Sequence, residues 1–322
     1  MLSRRDLLVG VAGAAVLATR TTAIRAAAAQ PKTPVQFDVP SGACDCHTHI
    51  FGDGRQFPWT AARVYTPEPA SIAEMRSLHR ALHMERVVVV QPSVYGTDNA
   101  CTLDAVRQLG QRARAVAVID ERAPSSALDA LDAAGVRGIR LNLATAGQTD
   151  AGRARDRLLR SVEQLAGRNW HIQMYTAMAV IDAIRDRIAE SPVPIVFDHF
   201  GGAQAALGTA QPGFDALLGL LRAGKAYVKI SGAYRSSNAA PDYADVAPLA
   251  KALIAANPQR ILWGSDWPHP DSSIVAGRKA TDIAPLLPID DGRVLNQLAV
   301  WAPNPAQRRT ILVDNPARLY GF

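Results

Sequence analysis

The chain has 322 residues, 48% of them hydrophobic and 20% charged, which suits one large α/β barrel or two ordinary domains and excludes a disordered chain. Half of its formal charge of +6 comes from the first 29 residues, and the remainder holds 31 basic against 28 acidic residues. With no dense basic run interleaved with aromatics, that balance argues against nucleic-acid binding.

The first element is a leader. "MLSRRDLLVGVAGAAVLAT" joins a short basic segment and a twin arginine, Arg4-Arg5, to an apolar stretch from Leu7 to about Thr19; "IRAAAAQ" follows with small residues. A membrane span needs about 20 apolar residues, so residues 1–29 are expected to be a removable twin-arginine signal, cleaved after Ala27 or Ala29, rather than a stable membrane anchor. The expected partner is the twin-arginine translocation machinery and the expected location is the periplasm. Residues 30–322 are then one mature domain.

Eight β-like runs follow: residues 43–50, 86–93, 113–120, 138–143, 170–176, 194–200, 226–232 and 261–267. Most are apolar over consecutive residues, as strands covered on both faces must be. Helical patterns alternate with them, at 71–84, 125–135, 177–190 and 245–258 among others. Eight strands alternating with helices predict a single (β/α)₈ TIM-type barrel, fold class α/β. No glycine-rich phosphate loop follows the first strand, which disfavours an open doubly wound sheet. Three cysteines, Cys44, Cys46 and Cys101, make no disulfide framework and read as buried thiols.

In such barrels the working groups sit at the C-terminal strand ends. There the chain places His47 and His49, Gln91 and Ser93, Arg140 and Asn142, Tyr175, Asp198 and His199, Ser231 with Arg235 beyond it, and Asp266. Side chains alternate along a strand, so His47 and His49 share a face. In a barrel that face is the interior, where unpaired polar groups are costly. His79 and His83, four apart on a helix, read as surface residues; His269 reads as shaping a loop, Trp263 and Trp267 as packing, and Lys229 is left open.

His-x-His on strand one, His199 on strand six and Asp266 on strand eight resemble the amidohydrolase superfamily. "HIFGDGRQFPW", "QPSVYGTDNA", "RGIRLN", "FDHFG", "WGSDWPHP" and "ILVDNPARLYGF" resemble the 2-pyrone-4,6-dicarboxylate lactonases within it, from about residue 38 to Phe322. The resemblance implies a hydrolase that opens a small carboxylated lactone. Asp266 would act as general base, with His47, His49 and His199 stabilising the oxyanion as protonated donors or through a metal. Arg140 and Arg235 would grip a substrate carboxylate, and Tyr65, Ser93 and Tyr175 match further substrate-binding positions. It implies that no metal is required; the alternative is one zinc or manganese ion on His47, His49 and Asp266. Two metals are not expected: Tyr175 takes the usual strand-five histidine position, His171 lies at the other end of that strand, and Asn142 cannot replace the strand-four bridging residue. The lactonases carry a basic pair where this chain has "LATAG" (143–147), and a histidine where it has Tyr95. A second substrate carboxylate is therefore disfavoured, and one carboxylate, a sulfonate or sugar hydroxyls fit better. A lactone isomerase or a metal-dependent decarboxylase on the same barrel, and a non-catalytic organic-acid-binding protein, are the other readings.

Overall fold

The structure, a computed structural model, describes residues 28–145, 147–273 and 275–322. The twin-arginine segment, and Ala146 of "LATAG", lie outside the described residues. Eight strands, β1 (Cys44–Thr48), β2 (Arg86–Val90), β3 (Ala113–Ala117), β4 (Val136–Asn142), β5 (His171–Tyr175), β6 (Ile195–Phe197), β7 (Ala226–Ser231) and β8 (Ile261–Gly264), pair in parallel in chain order. Each falls within one of the expected runs or overlaps it.

The sheet closes where β1 meets the segment after β8. Thr48 bridges Trp267, the Asp266 N–H donates to the His47 carbonyl at 2.9 Å, and the His49 N–H donates to the Trp267 carbonyl at 2.8 Å. Asp45 reinforces the seam: its carboxylate accepts from the Ser265 N–H at 2.9 Å and the Ser265 hydroxyl at 2.6 Å. The two motifs that carry the chemistry thus also close the barrel, so their relative position is set by backbone hydrogen bonds. Gly264 permits this approach, because a Cβ there would stand 2.7 Å from the His47 Cβ.

Helices cover the barrel. The first, α1 (Ile72–Leu82), starts at a capping box of Ser71 and Glu74 and buries Met75, Leu78, His79 and Leu82, three and four apart. His79 is therefore not a surface residue: its Nε2 lies 3.2 Å from the Asp45 carboxylate, tying the helix to the seam. His83, one residue beyond α1, is exposed and left-handed (φ 56°), as expected of a helix end. The single helix expected over 177–190 is two, Met178–Ala183 and Arg185–Glu190, because Ile184 leaves helical geometry (φ −113°, ψ 11°).

The barrel floor is apolar: Cys44, Cys46, Val88, Val90, Val116, Val196 and Leu262 pack together with Tyr320. His171 lies at this end, edge-on to Tyr320, fully buried and away from the site, as expected from its place in β5. All three thiols are buried and unpaired. Cys46 and His47 are sequence neighbours, yet both reach interior residues. The β1–β2 register slips between Asp45 and Thr48, which breaks strict alternation and turns His47 inward above the floor.

Candidate active site

The C-terminal strand ends build a small buried chamber. His49, Tyr65, Ser93, Arg140, Tyr175, His199 and Arg235 all line it, with His47 and Asp266 beneath. Every side chain expected at the site from the sequence is therefore at one place. The chamber has about 10 Å³ of free space, close to that of one water. It shares Thr145, Tyr175, Arg235, Pro270 and Ser272 with an outer vestibule of about 480 Å³. A larger cavity of about 690 Å³ lies outside the barrel, lined by Val106, Arg107, Ala113 and Arg137 among others, and no site histidine reaches it.

Asp266 is the hub. Its Oδ1 stands 3.6, 3.8 and 3.9 Å from the Nε2 atoms of His47, His49 and His199 and has no hydrogen-bond partner. Its Oδ2 accepts from Arg235 Nε at 2.5 Å and from the Tyr234 hydroxyl at 2.7 Å. Burial would raise the Asp266 carboxyl, but the Arg235 guanidinium overcomes it and holds it well below the usual carboxylate range. Asp266 and His199 both sit in left-handed backbone (φ 68° and 49°), an uncommon conformation held here by the seam and the barrel end. Gly232 (φ 57°) lets them approach: a Cβ there would lie 2.9 Å from Asp266 Oδ2 and 3.0 Å from His199 Nδ1.

The histidines are neutral near neutral pH. Burial pulls His49 down to about 3 and His199 down to about 4, and moves His47 well below its ordinary value. Of the two expected modes, protonated donors are therefore disfavoured. Tautomers follow from partners. His49 Nδ1 lies 2.7 Å from the Val90 carbonyl, which can only accept, so Nδ1 carries the proton and Nε2 a lone pair. His199 Nδ1 faces the Ser231 hydroxyl at 3.0 Å and the Ser231 carbonyl at 3.4 Å, which favours the same tautomer. Lone pairs of buried neutral imidazoles thus converge on a buried carboxylate oxygen.

Such a donor set suits a cation. One ligand atom each from His47, His49 and Asp266 lies within 4.8 Å of the others, and His47 Nε2 and Asp266 Oδ1 are buried without hydrogen-bond partners. Two neutral imidazoles and a carboxylate fit one zinc or manganese ion.

The two arginines have internal partners as well as chamber faces. Arg140 holds Asp198 at 3.3 Å and donates to the Gln91 carbonyl at 3.4 Å; Arg235 holds Asp266 and reaches Ser272 at 3.3 Å. Tyr175 stands edge-on to His199 (5.0 Å between centroids) and 5.7 Å from the Arg140 guanidinium carbon. Burial raises the Tyr65 hydroxyl pKa, partly offset by its hydrogen bond with Ser93. Tyr95, where the lactonases carry histidine, is outside the chamber lining; its hydroxyl accepts the Gly52 N–H at 2.9 Å. His269 pairs with buried Asp291 at 2.9 Å, behind the Asp266 loop.

Sequence reasoning passed over Gln173 and Tyr234, gave Asp198 no role beyond its place at a strand end, and left Lys229 open. Lys229 is fully buried, 2.6 Å from Gln173 Oε1 and 3.6 Å from Asp198 Oδ1. Gln173 and Lys229 each precede a chamber-end residue, Tyr175 and Ser231, by two positions, and that spacing was the available signal.

The amidohydrolase family model matches residues 44–322. The chain is 35% identical to a 4-sulfomuconolactone hydrolase of Hydrogenophaga intermedia over 289 residues, covering 89% of this chain and 91% of the relative. It is 33% identical to a 2-pyrone-4,6-dicarboxylate hydrolase of Comamonas testosteroni over 301 residues, 91% and 94% of the two chains. A crystal structure from Agrobacterium tumefaciens superimposes with a TM-score of 0.76 at 28% identity, covering 91% of this chain and 98% of that one.

Proposed function

We propose that this chain, which belongs to the amidohydrolase family, is a hydrolase that opens a small lactone bearing one anionic group. The observation that carries the anion is the charge of the site. Among the described residues the ion-pair partners of Arg140, Lys229 and Arg235 are Asp198 and Asp266, and with neutral histidines one positive charge is left over beside the chamber. Two relatives are named for anionic lactones, one sulfonated and one a dicarboxylate, which supports an anionic lactone; the single anion rests on the charge of the site alone. The described part of the vestibule offers hydroxyls and amides, from Thr145, Tyr175, Asn238, Ser272 and Ser273, and no cation besides Arg235. That lining suits a sulfonate or carboxylate near the chamber and an uncharged polar substituent outside it.

In the reaction, Arg140 and Arg235 orient the anion, since a guanidinium fork meets carboxylate or sulfonate oxygens with parallel hydrogen bonds. Asp266 takes the proton of the attacking water on Oδ1, while Arg235 and Tyr234 hold Oδ2 and fix the orientation of the carboxylate. When the ring ester breaks, the same proton passes to the departing ring oxygen, so the product is a hydroxy acid. A divalent cation held by His47, His49 and Asp266 would supply Lewis-acid polarisation of the carbonyl and acidify the water. Delivery to the periplasm by the twin-arginine route belongs to the same proposal and rests on Arg4-Arg5 and the short apolar stretch.

The test is proton release from a butenolide carrying one carboxylate and from an uncharged lactone of the same ring size, with and without chelator, with products weighed by mass spectrometry. Hydrolysis adds one water to the anionic substrate. A product of unchanged mass would make the enzyme an isomerase, and binding without turnover of any anionic lactone would sink the hydrolase reading. Full activity after exhaustive chelation would show that no metal is required.

A further inference from the structure

Below the chamber lies a polar group of which the reaction above uses only Arg140. Asp198, Lys229, Gln173 and Arg140 are buried together in an otherwise apolar barrel. Lys229 donates to Gln173 Oε1 at 2.6 Å, and Gln173 Nε2 donates to Asp198 Oδ2 at 3.0 Å. Arg140 reaches the same Oδ2, through Nη2 at 3.3 Å and Nε at 3.4 Å. All of this fixes one carboxylate oxygen. The other, Oδ1, points at His47: Nδ1 is 3.2 Å away and the Lys229 ammonium 3.6 Å.

We propose that Asp198, clamped by Lys229, Gln173 and Arg140, is a positioning residue that holds the proton of His47 on Nδ1 and so presents the Nε2 lone pair to the active site. The competing arrangement is available nearby, because Lys229 also lies 3.4 Å from His47 Nδ1 and could donate to it. That would force the His47 proton onto Nε2, and His47 would become a donor towards Asp266. Three observations favour the first arrangement. Lys229 already makes its shortest contact with Gln173. Asp198 Oδ1 makes no aligned hydrogen bond, and His47 Nδ1 at 3.2 Å stands nearer to it than the Lys229 ammonium at 3.6 Å; leaving a buried carboxylate oxygen without a donor is costly. An ionised acceptor also makes the stronger bond to an imidazole N–H. The result matches His49, where the Val90 carbonyl does the same work: a partner on Nδ1 decides what Nε2 can do. In this arrangement the Lys229 ammonium also balances the Asp198 charge beside His47, so the carboxylate stays ionised without a second bound cation.

The experiment uses no substrate, so its failure is separate from failure of the lactone reading. The full chain is labelled with ¹⁵N-histidine, and long-range ¹H–¹⁵N spectra are recorded on the protein as purified and after dialysis against a chelator. The His47 signals are assigned by their loss in His47→Gln. The expected wild-type pattern, retained after chelation, is a protonated Nδ1 and a bare Nε2. Lys229→Met should keep it, since Asp198 remains. The neutralised double variant Asp198→Leu/Lys229→Met removes both charges, so that neither is stranded if Asp198→Leu alone does not fold. After chelation it should lose the Nδ1-protonated form, wholly or in part, while the His49 pattern stays. A wild-type His47 protonated on Nε2 would overturn the proposal. So would a double variant that is folded and keeps the Nδ1 proton, because the cluster would then only fill the barrel.

Discussion

Acid should destabilise this fold through its histidines, in a pH window that the site geometry sets. In the unfolded chain an imidazole binds its proton near pH 6.5. In the fold, burial holds His49 and His171 down to about 3 and His199 down to about 4. Between those values the unfolded state binds more protons, so unfolding free energy is fully retained above about pH 6.5 and falls as the pH drops towards 4. Going from pH 7.5 to 5.5 should remove about 1.4 kcal/mol per histidine, roughly one pKa unit's worth, or about 4 kcal/mol for the three. Buried His47 acts in the same direction. Against a typical total of about 5–15 kcal/mol this is a large fraction. The assay is urea unfolding at constant ionic strength, followed by tryptophan fluorescence at pH 7.5, 6.5 and 5.5. His171 supplies a control, because it lies at the opposite end of the barrel with neither ring nitrogen hydrogen-bonded. His171→Leu should remove about a third of the pH dependence contributed by the three histidines. Coincident unfolding midpoints at pH 7.5 and 5.5 would refute the claim that these imidazoles are held neutral.

Asp266→Asn should lower kcat on an anionic lactone by about a hundredfold or more with the fold retained, as loss of a general base does; near-normal turnover would assign the water proton to another residue. Arg140→Met should lower kcat/KM by about a hundredfold on the anionic lactone and far less on an uncharged one, since a desolvated charge pair is worth about 2–5 kcal/mol. Taking the ratio between substrates cancels the shared cost of weakening Asp198, and an unchanged ratio would reduce Arg140 to a structural partner. Replacing Arg4 and Arg5 by Lys should retain the protein in the cytoplasm on fractionation. The mature N-terminus of the wild type should be Ala28, because the Ala28 N–H donates to Glu74 at 3.2 Å and the Ala29 carbonyl accepts from Trp267 at 3.2 Å; unaltered export of the Lys variant, or sequencing that begins at Gln30, would count against these two statements respectively.

The sequence by itself determined the barrel and the membership of its site. Eight apolar runs separated by helical patterns are local signals, and a residue that ends such a run must lie at the C-terminal rim whatever the details of packing. That is why Asp266, the site histidines and Arg140 are legible in the sequence, whereas Arg235, three residues beyond its run, rests on the family resemblance. Tertiary structure decided what these groups do to one another. The slip in register between Asp45 and Thr48 turns His47 inward beside Cys46, against strict alternation. Arg235 closes on Asp266, Asp198 on His47 and Arg140, and His79 on Asp45. These partners are 31, 151, 58 and 34 residues apart in the chain. No local pattern encodes such pairings, because they depend on strand register, barrel closure and the exclusion of water, which together set each charge and tautomer.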